Sequence, residues 1–179
     1  MRVIAGKCRS LNLKTPKGMN TRPTQDRIKE TLFNMIQNDI GGCVFVDIFA
    51  GSGGIGIEAL SRGAKYCYFI DNNKEACECI SENLKFTKLQ SDATLLKNDY
   101  AASLSLINES KVDIVFMDPP YEAGYEEQLF NILRTKPYIT EDTMLILEAS
   151  LTKDFNFEGF EIIKEKRYKT NKHIFYRRI

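Results

Sequence analysis

Two stretches of this 179-residue chain hold side chains whose types and spacing suit chemistry. The first is Asp118-Pro119-Pro120-Tyr121, which closes the mostly apolar run 112–117. Two prolines end a strand, because each fixes φ and lacks an N–H, and Pro120 keeps Pro119 extended. The resulting turn is stiff, and within four residues it offers a carboxylate, carbonyls without a ladder partner and an aromatic ring. An exocyclic amine on a planar ring has a delocalised lone pair and is a poor nucleophile. Asp118 and the Pro119 carbonyl supply two acceptors that would let it pyramidalise, and Tyr121 supplies a face for stacking, worth about 1–3 kcal/mol. The plainer alternative makes Asp118 a cap for the next helix.

The second stretch runs from Asp47 through Phe49 to Gly51, Gly53 and Gly56. Glycines permit a tight turn and close approach of backbone to ligand, and a helix is expected just beyond, over about 54–62. With Asp71 some twenty residues on, the pattern also satisfies the dinucleotide fingerprint. Asp47 tips the balance away from that reading, since a carboxylate at the loop mouth repels a pyrophosphate and attracts an ammonium or sulfonium. S-adenosylmethionine carries both cations. In this reading Asp47, Phe49 and the loop hold the methionine part, and Asp71, with Asn72 beside it, meets the ribose hydroxyls. Asp99 takes the adenine amine or caps the helix that follows, and both roles can hold at once.

The elements that must position these residues follow from hydrophobic periodicity. Residues 2–6 and 10–14 read as a small basic hairpin or two short strands. Thr24 is a plausible N-cap for a helix bearing Ile28, Leu32, Met35 and Ile36, running to about Asp39 and stopped by Gly41-Gly42. Strands are expected at 44–48, 66–70, 93–96, 112–117 and 143–148, with helices near 74–86 and 125–135. A final antiparallel hairpin is expected at 161–168 and 173–178. Such alternation implies an α/β fold, a mostly parallel sheet with helices on both faces. Cys77 and Cys79 fall in a helix.

Composition narrows the classes. The hydrophobic and charged fractions, 43% and 27%, are those of an ordinary globular protein, so disorder is excluded. No apolar run approaches a membrane span, and no secretory leader opens the chain. Five cysteines without metal-ligand spacing and a single histidine imply a reducing, cytoplasmic setting and no metal site. The net charge of +1 hides an asymmetry. Residues 1–40 carry eight Lys/Arg against three Asp/Glu, and residues 160–179 seven against two, while the middle is acidic. Basic ends suit a polyanion gripped at the periphery. Lys7, Arg9, Arg22, Arg27 and Arg167 are the candidate contacts, Arg22 and Arg27 flanking a helix N-terminus that already favours anions.

The chain resembles the RsmD family in Met1-Arg2-Val3-Ile4, in Thr21–Arg27, in Asp47–Gly53, in Asp118–Tyr121 and in Glu165-Lys166-Arg167-Tyr168. Lys169 stands where a turn glycine is usual, and Asp71 where many relatives carry Glu. The likeness spans nearly the whole length. It implies bacterial methyltransferases that modify the N2 amine of the guanine conventionally numbered 966 in 16S ribosomal RNA, alone or within a small-subunit particle. It implies a seven-stranded class I methyltransferase (Rossmann-like) fold at 41–179, behind a basic, RNA-facing extension at 1–40. S-adenosylmethionine is the implied donor, S-adenosylhomocysteine the product, with no metal, membrane or obligate protein partner. By the match of motifs, the cofactor role falls to Asp47, Gly51, Gly53, Asp71 and Asp99, and the catalytic turn is Asp118, Pro119, Pro120 and Tyr121.

Overall fold

The computed structural model describes residues 1–16, 23–120 and 124–179, with backbone alone at Pro23 and Thr24. Arg22 and Tyr121 lie outside the described residues, and the expected cap at Thr24 is not met, because the first helix already begins at Pro23. Seven strands form one sheet: β1 (Val44–Ile48), β2 (Tyr66–Ile70), β3 (Ala93–Leu96), β4 (Ile114–Met117), β5 (Met144–Ser150), β6 (Phe160–Arg167) and β7 (Asn171–Arg178). Their spatial order is β3-β2-β1-β4-β5-β7-β6, parallel throughout except that β7 runs against both neighbours. β1 and β4 are buried along their whole length, which is why both read as unbroken apolar runs around a single acid or none.

Side chains alternate between the two faces of the sheet. One face carries Phe45, Phe69, Phe116, Ile146 and Phe175, packed under α1 (Pro23–Met35), α3 (Gly54–Ser61) and α4 (Lys74–Thr87) through Leu32, Phe33, Ile57, Leu60 and Ile80. The other carries Val46, Ile48, Val115, Met117 and Leu147 under α5 (Tyr100–Leu104) and α6 (Tyr125–Arg134), through Leu104, Leu129, Phe130 and Leu133. Each such side chain, fully buried, contributes about 1.5–3 kcal/mol. The expected long first helix is instead α1 and a short α2 (Gln37–Ile40), parted at Ile36 (φ −111°, ψ 13°). Cys77 and Cys79 do lie on α4, and all five cysteines are free and buried.

The expected N-terminal hairpin is present but short: Val3 N–H donates to Leu11 O and Ser10 N–H to Val3 O, both at 2.9 Å, and Leu13 N–H to Met1 O at 2.8 Å, around one antiparallel bridge of Arg2 with Asn12. Its other backbone groups tie it to the helices. Ile4 and Ala5 N–H donate to the Glu58 carboxylate at 2.8 and 3.0 Å, Lys7 N–H to Ser61 O at 2.8 Å, and Lys14 N–H to Asn83 Oδ1 at 2.8 Å. These amides fasten the hairpin to α3 and α4, while those of Val3, Ser10 and Leu13 bond across it. Glu58 is fully buried, yet it is compensated by Lys29 Nζ at 3.4 Å and Arg62 Nε at 2.7 Å as well as by those two amides. Removing one partner of such a buried set typically costs about 3–5 kcal/mol.

Candidate active site

The glycine loop and the Asp-Pro-Pro turn leave the carboxyl ends of adjacent parallel strands. Asp47 of β1 pairs with Phe116 of β4 and Ile48 with Met117, and Asp118 N–H donates to Ile48 O at 3.3 Å. The crevice beyond strand ends is where open α/β sheets bind ligands.

The loop turns sharply from its first residue. Phe49 adopts φ 64°, a left-handed conformation that costs a non-glycine residue about 1–3 kcal/mol. Phe49 and Ala50 N–H both donate to Ile70 O, at 3.0 and 3.1 Å, and the Phe49 ring packs 5.5 Å from Tyr100 and 6.0 Å from Tyr125, nearly parallel to the latter. Gly53 turns the chain at φ 76° into α3. Gly56 is required by packing, since a Cβ there would sit 2.4 Å from the Phe69 ring and 2.7 Å from Cys67 Sγ.

Asp47 is only 1% exposed, with Oδ2 accepting from Gly56 N–H at 2.9 Å. The expectation of a carboxylate at the loop mouth is therefore corrected: the acid lies beneath the loop, and it can act on a ligand through its field and by holding the loop. Burial pushes its carboxyl up to about 7, the Gly56 N–H opposing and Asp71 adding to the rise. Asp71 accepts Gly51 N–H at one oxygen and Asn73 N–H at the other, both at 2.9 Å, so it braces the loop while keeping lone pairs and partial exposure. Asn72 is exposed beside it. Asp99 is exposed and caps α5, accepting from Ala102 N–H at 3.0 Å, so the capping role anticipated for it is present.

Asp118 opens into a cavity of about 520 Å³ whose wall includes Met1, Gln25, Ile28, Lys29, Phe116, Glu148, Asn171 and His173. The side chain has exposed surface, but it faces this concavity, whose walls displace much of its water. That desolvation, then the nearby Glu148 carboxylate, then Asp47, hold its carboxyl well above the usual range. Pro119 is buried and Pro120 exposed.

Three further cavity residues had not been anticipated. Met117 pairs with Leu147, so Asp118 and Glu148 follow in the same register, and Glu148 in turn pairs with His173. Glu148 accepts from Asn171 Nδ2, and its Oε2 lies 3.1 Å from His173 Nε2; His173 Nδ1 lies 3.1 Å from the Tyr168 hydroxyl. The signal for Glu148 was the one used elsewhere, an acid ending an apolar strand; Asn171 and His173 gave none.

The candidate polyanion contacts fall into separate places. Arg9 and Arg27 are exposed and share with Arg2 a polar cavity of about 410 Å³ that also includes Asp26 and Glu30. Lys7 is exposed and lies 3.5 Å from Asp92. Arg167 is on β6, with Nε 2.6 Å from Glu165. Among the described residues, no group of three or more His, Cys, Asp or Glu could hold a metal ion, and no helix is long and apolar enough to cross a membrane.

A parallel sheet closed by an inserted antiparallel strand, with an acid-flanked glycine loop and an Asp-Pro-Pro turn on neighbouring strand ends, is the architecture of a class I methyltransferase. The solved structure of the Escherichia coli protein yhhF superposes with a TM-score of 0.85 at 29% identity, covering 99% of this chain and 97% of that one. The family described as conserved hypothetical protein 95 matches residues 1–177, and the chain belongs to it, the RsmD family. Ribosomal RNA small subunit methyltransferase D of Haemophilus influenzae is 33% identical over 171 residues, 93% of this chain and 88% of the relative. Its namesake in Escherichia coli is 32% identical over 151 residues, 84% and 75% of the two chains.

Proposed function

We propose that this methyltransferase transfers the methyl group of S-adenosylmethionine to the exocyclic N2 amine of one guanine in small-subunit ribosomal RNA, leaving S-adenosylhomocysteine. The observation that carries this reading is the Asp118 turn one strand away from the glycine loop, locked by the Asp118 N–H bond to Ile48 O. It sets an acceptor-lined cavity beside a cradle suited to a cationic donor.

The residues present fit such a donor. The buried Asp47 is an acid costly to ionise without a cation nearby, and a sulfonium or ammonium above the loop would relieve that cost. Gly51 and Gly53 would let the backbone approach the donor, Phe49 and the loop would hold its methionine part, Asp71 and Asn72 would meet its ribose, and Asp99 would meet its base. When bound, the donor supplies an electrophilic methyl carbon.

The chain's own part is alignment and electrostatics. Asp118 and the Pro119 carbonyl accept from the target amine, Pro120 stiffens the turn, and Tyr121 stacks on the base. The proton leaves an amine already acidified by methylation, so a strong base is not needed. To enter, the base must leave its stack, at a cost of about a few kcal/mol.

Residues 1–40 serve as an RNA-facing extension of the catalytic unit at 41–179. Arg9 and Arg27, with Arg22, Lys7 and Arg167, meet backbone phosphates of 16S RNA, in the cytoplasm and within a small-subunit particle or its precursor. Transfer of labelled methyl from S-adenosylmethionine to small subunits or 16S RNA lacking the modification tests the proposal. Label in N2-methylguanine supports it, and label in adenine or in protein refutes it.

A further inference from the structure

Glu148 has a place in the cavity that the methyl-transfer chemistry alone does not use. It extends the row begun by Asp118 at the carboxyl end of the sheet, one strand further on and on the same face. Asn171 and His173, two residues apart on β7, hold it from the neighbouring strand, one on each oxygen. A carboxylate only accepts. Facing it, His173 Nε2 donates, and the other ring nitrogen, Nδ1, lies within hydrogen-bond distance of the Tyr168 hydroxyl. The orientation of the Glu148 carboxyl plane is thus set by a chain of buried or half-buried partners. Glu148 also lines the cavity that Asp118 opens into.

Two acceptors side by side match one purine edge. Guanine presents adjacent donors, the N2 amine and N1–H, and adenine presents a lone pair at N1. Glu148 stands one strand on from Asp118, so a base with its amine on Asp118 and its N1 edge turned along this row would meet Glu148. A carboxylate there accepts from N1–H and repels an N1 lone pair. Resting on the guanine-amine reading above, we propose that Glu148 is the residue that selects guanine, by accepting from N1–H, and that Asn171 and His173 are its positioning residues.

The test compares unaltered chain and Glu148→Gln on small-subunit RNA carrying guanine or 2-aminopurine at the methylated position. 2-Aminopurine keeps the amine but has a lone pair at N1, which a glutamine amide can meet as donor. Losing a hydrogen bond to a charged group implies a fall of about 10- to 100-fold in kcat/KM on guanine for Glu148→Gln. The same variant should gain on 2-aminopurine, inverting the preference, with donor affinity and melting temperature little changed. Equal losses on both bases, or an unchanged ratio, would overturn the assignment while leaving guanine methylation by the unaltered chain intact. No transfer to guanine by the unaltered chain would instead defeat the proposed function itself. Should Glu148→Gln fail to fold, the unaltered chain decides. A target 1-deazaguanine keeps the amine and O6 but has C–H in place of N1–H, and it should react at least about 10-fold more slowly than guanine; equal rates overturn the proposal.

Discussion

Asp47→Asn removes a buried charge and keeps an oxygen for the Gly56 N–H at 2.9 Å. In the folded protein burial raises the Asp47 carboxyl from 3.8 to about 7. The folded state therefore binds this proton more tightly than the unfolded chain. The stability it confers is fully present below about pH 3.8 and is lost as pH rises through about 7. Between pH 5 and pH 8 that linkage removes roughly 2–3 kcal/mol from the unaltered protein. An asparagine brings offsets of its own, a weaker bond to Gly56 and an amide N–H₂ in need of acceptors, but these do not vary with pH. The quantity to measure is thus the change in unfolding free energy from pH 5 to pH 8, by denaturant titration of both ligand-free proteins. The unaltered chain should lose roughly 2–3 kcal/mol more over that interval than Asp47→Asn. Identical pH dependence would refute the reasoning, because it would mean that Asp47 does not titrate differently in folded and unfolded chains. The same ionisation should appear in ligand binding. Affinity for S-adenosylmethionine should rise with pH through about 7 in the unaltered protein and lose that rise in Asp47→Asn.

Asp118→Asn should lower turnover about 30- to 1000-fold with little change in donor affinity. Because the Asp118 carboxyl titrates well above the usual range, the pH–rate profile should fall on the acid side as that carboxyl is protonated, and the variant should lack that limb. Tyr121→Phe should be nearly neutral and Tyr121→Ala damaging, as steady-state rates on RNA will show, if the ring and not the hydroxyl does the work. Replacing Arg9 and Arg27 together by Gln should flatten the salt dependence of RNA binding by about two phosphate contacts and leave donor affinity unchanged. Gly56→Ala should lower the melting temperature markedly, since the new methyl meets a buried ring and a thiol at under 3 Å.

Most of the scaffold was legible because its signals are local. The buried strands at 44–48 and 66–70, the helix at 74–87 and the closing hairpin each announce themselves through periodicity and breakers. The N-terminal hairpin was legible in outline, but its anchors were not, because Glu58, Ser61 and Asn83 lie more than fifty residues away and claim the amides that do not bond across it. Strand-end acids were legible as a class, but their depth was not. Nothing in the spacing of Asp47 distinguishes a carboxylate at the loop mouth from one sealed beneath it. Glu148 carried the same mark as Asp71 and Asp118, yet its meaning depends on β7 being inserted beside β5, which brings Asn171 and His173 to it.

Nucleoside mass spectrometry of 16S ribosomal RNA bears most directly on the central claim. A deletion strain should lack N2-methylguanine at one site. The intact gene should restore it, and the Asp118→Asn version should restore it slowly or incompletely. Unmodified levels of N2-methylguanine in the deletion strain, with a different methylated base or a methylated protein missing instead, would contradict the account.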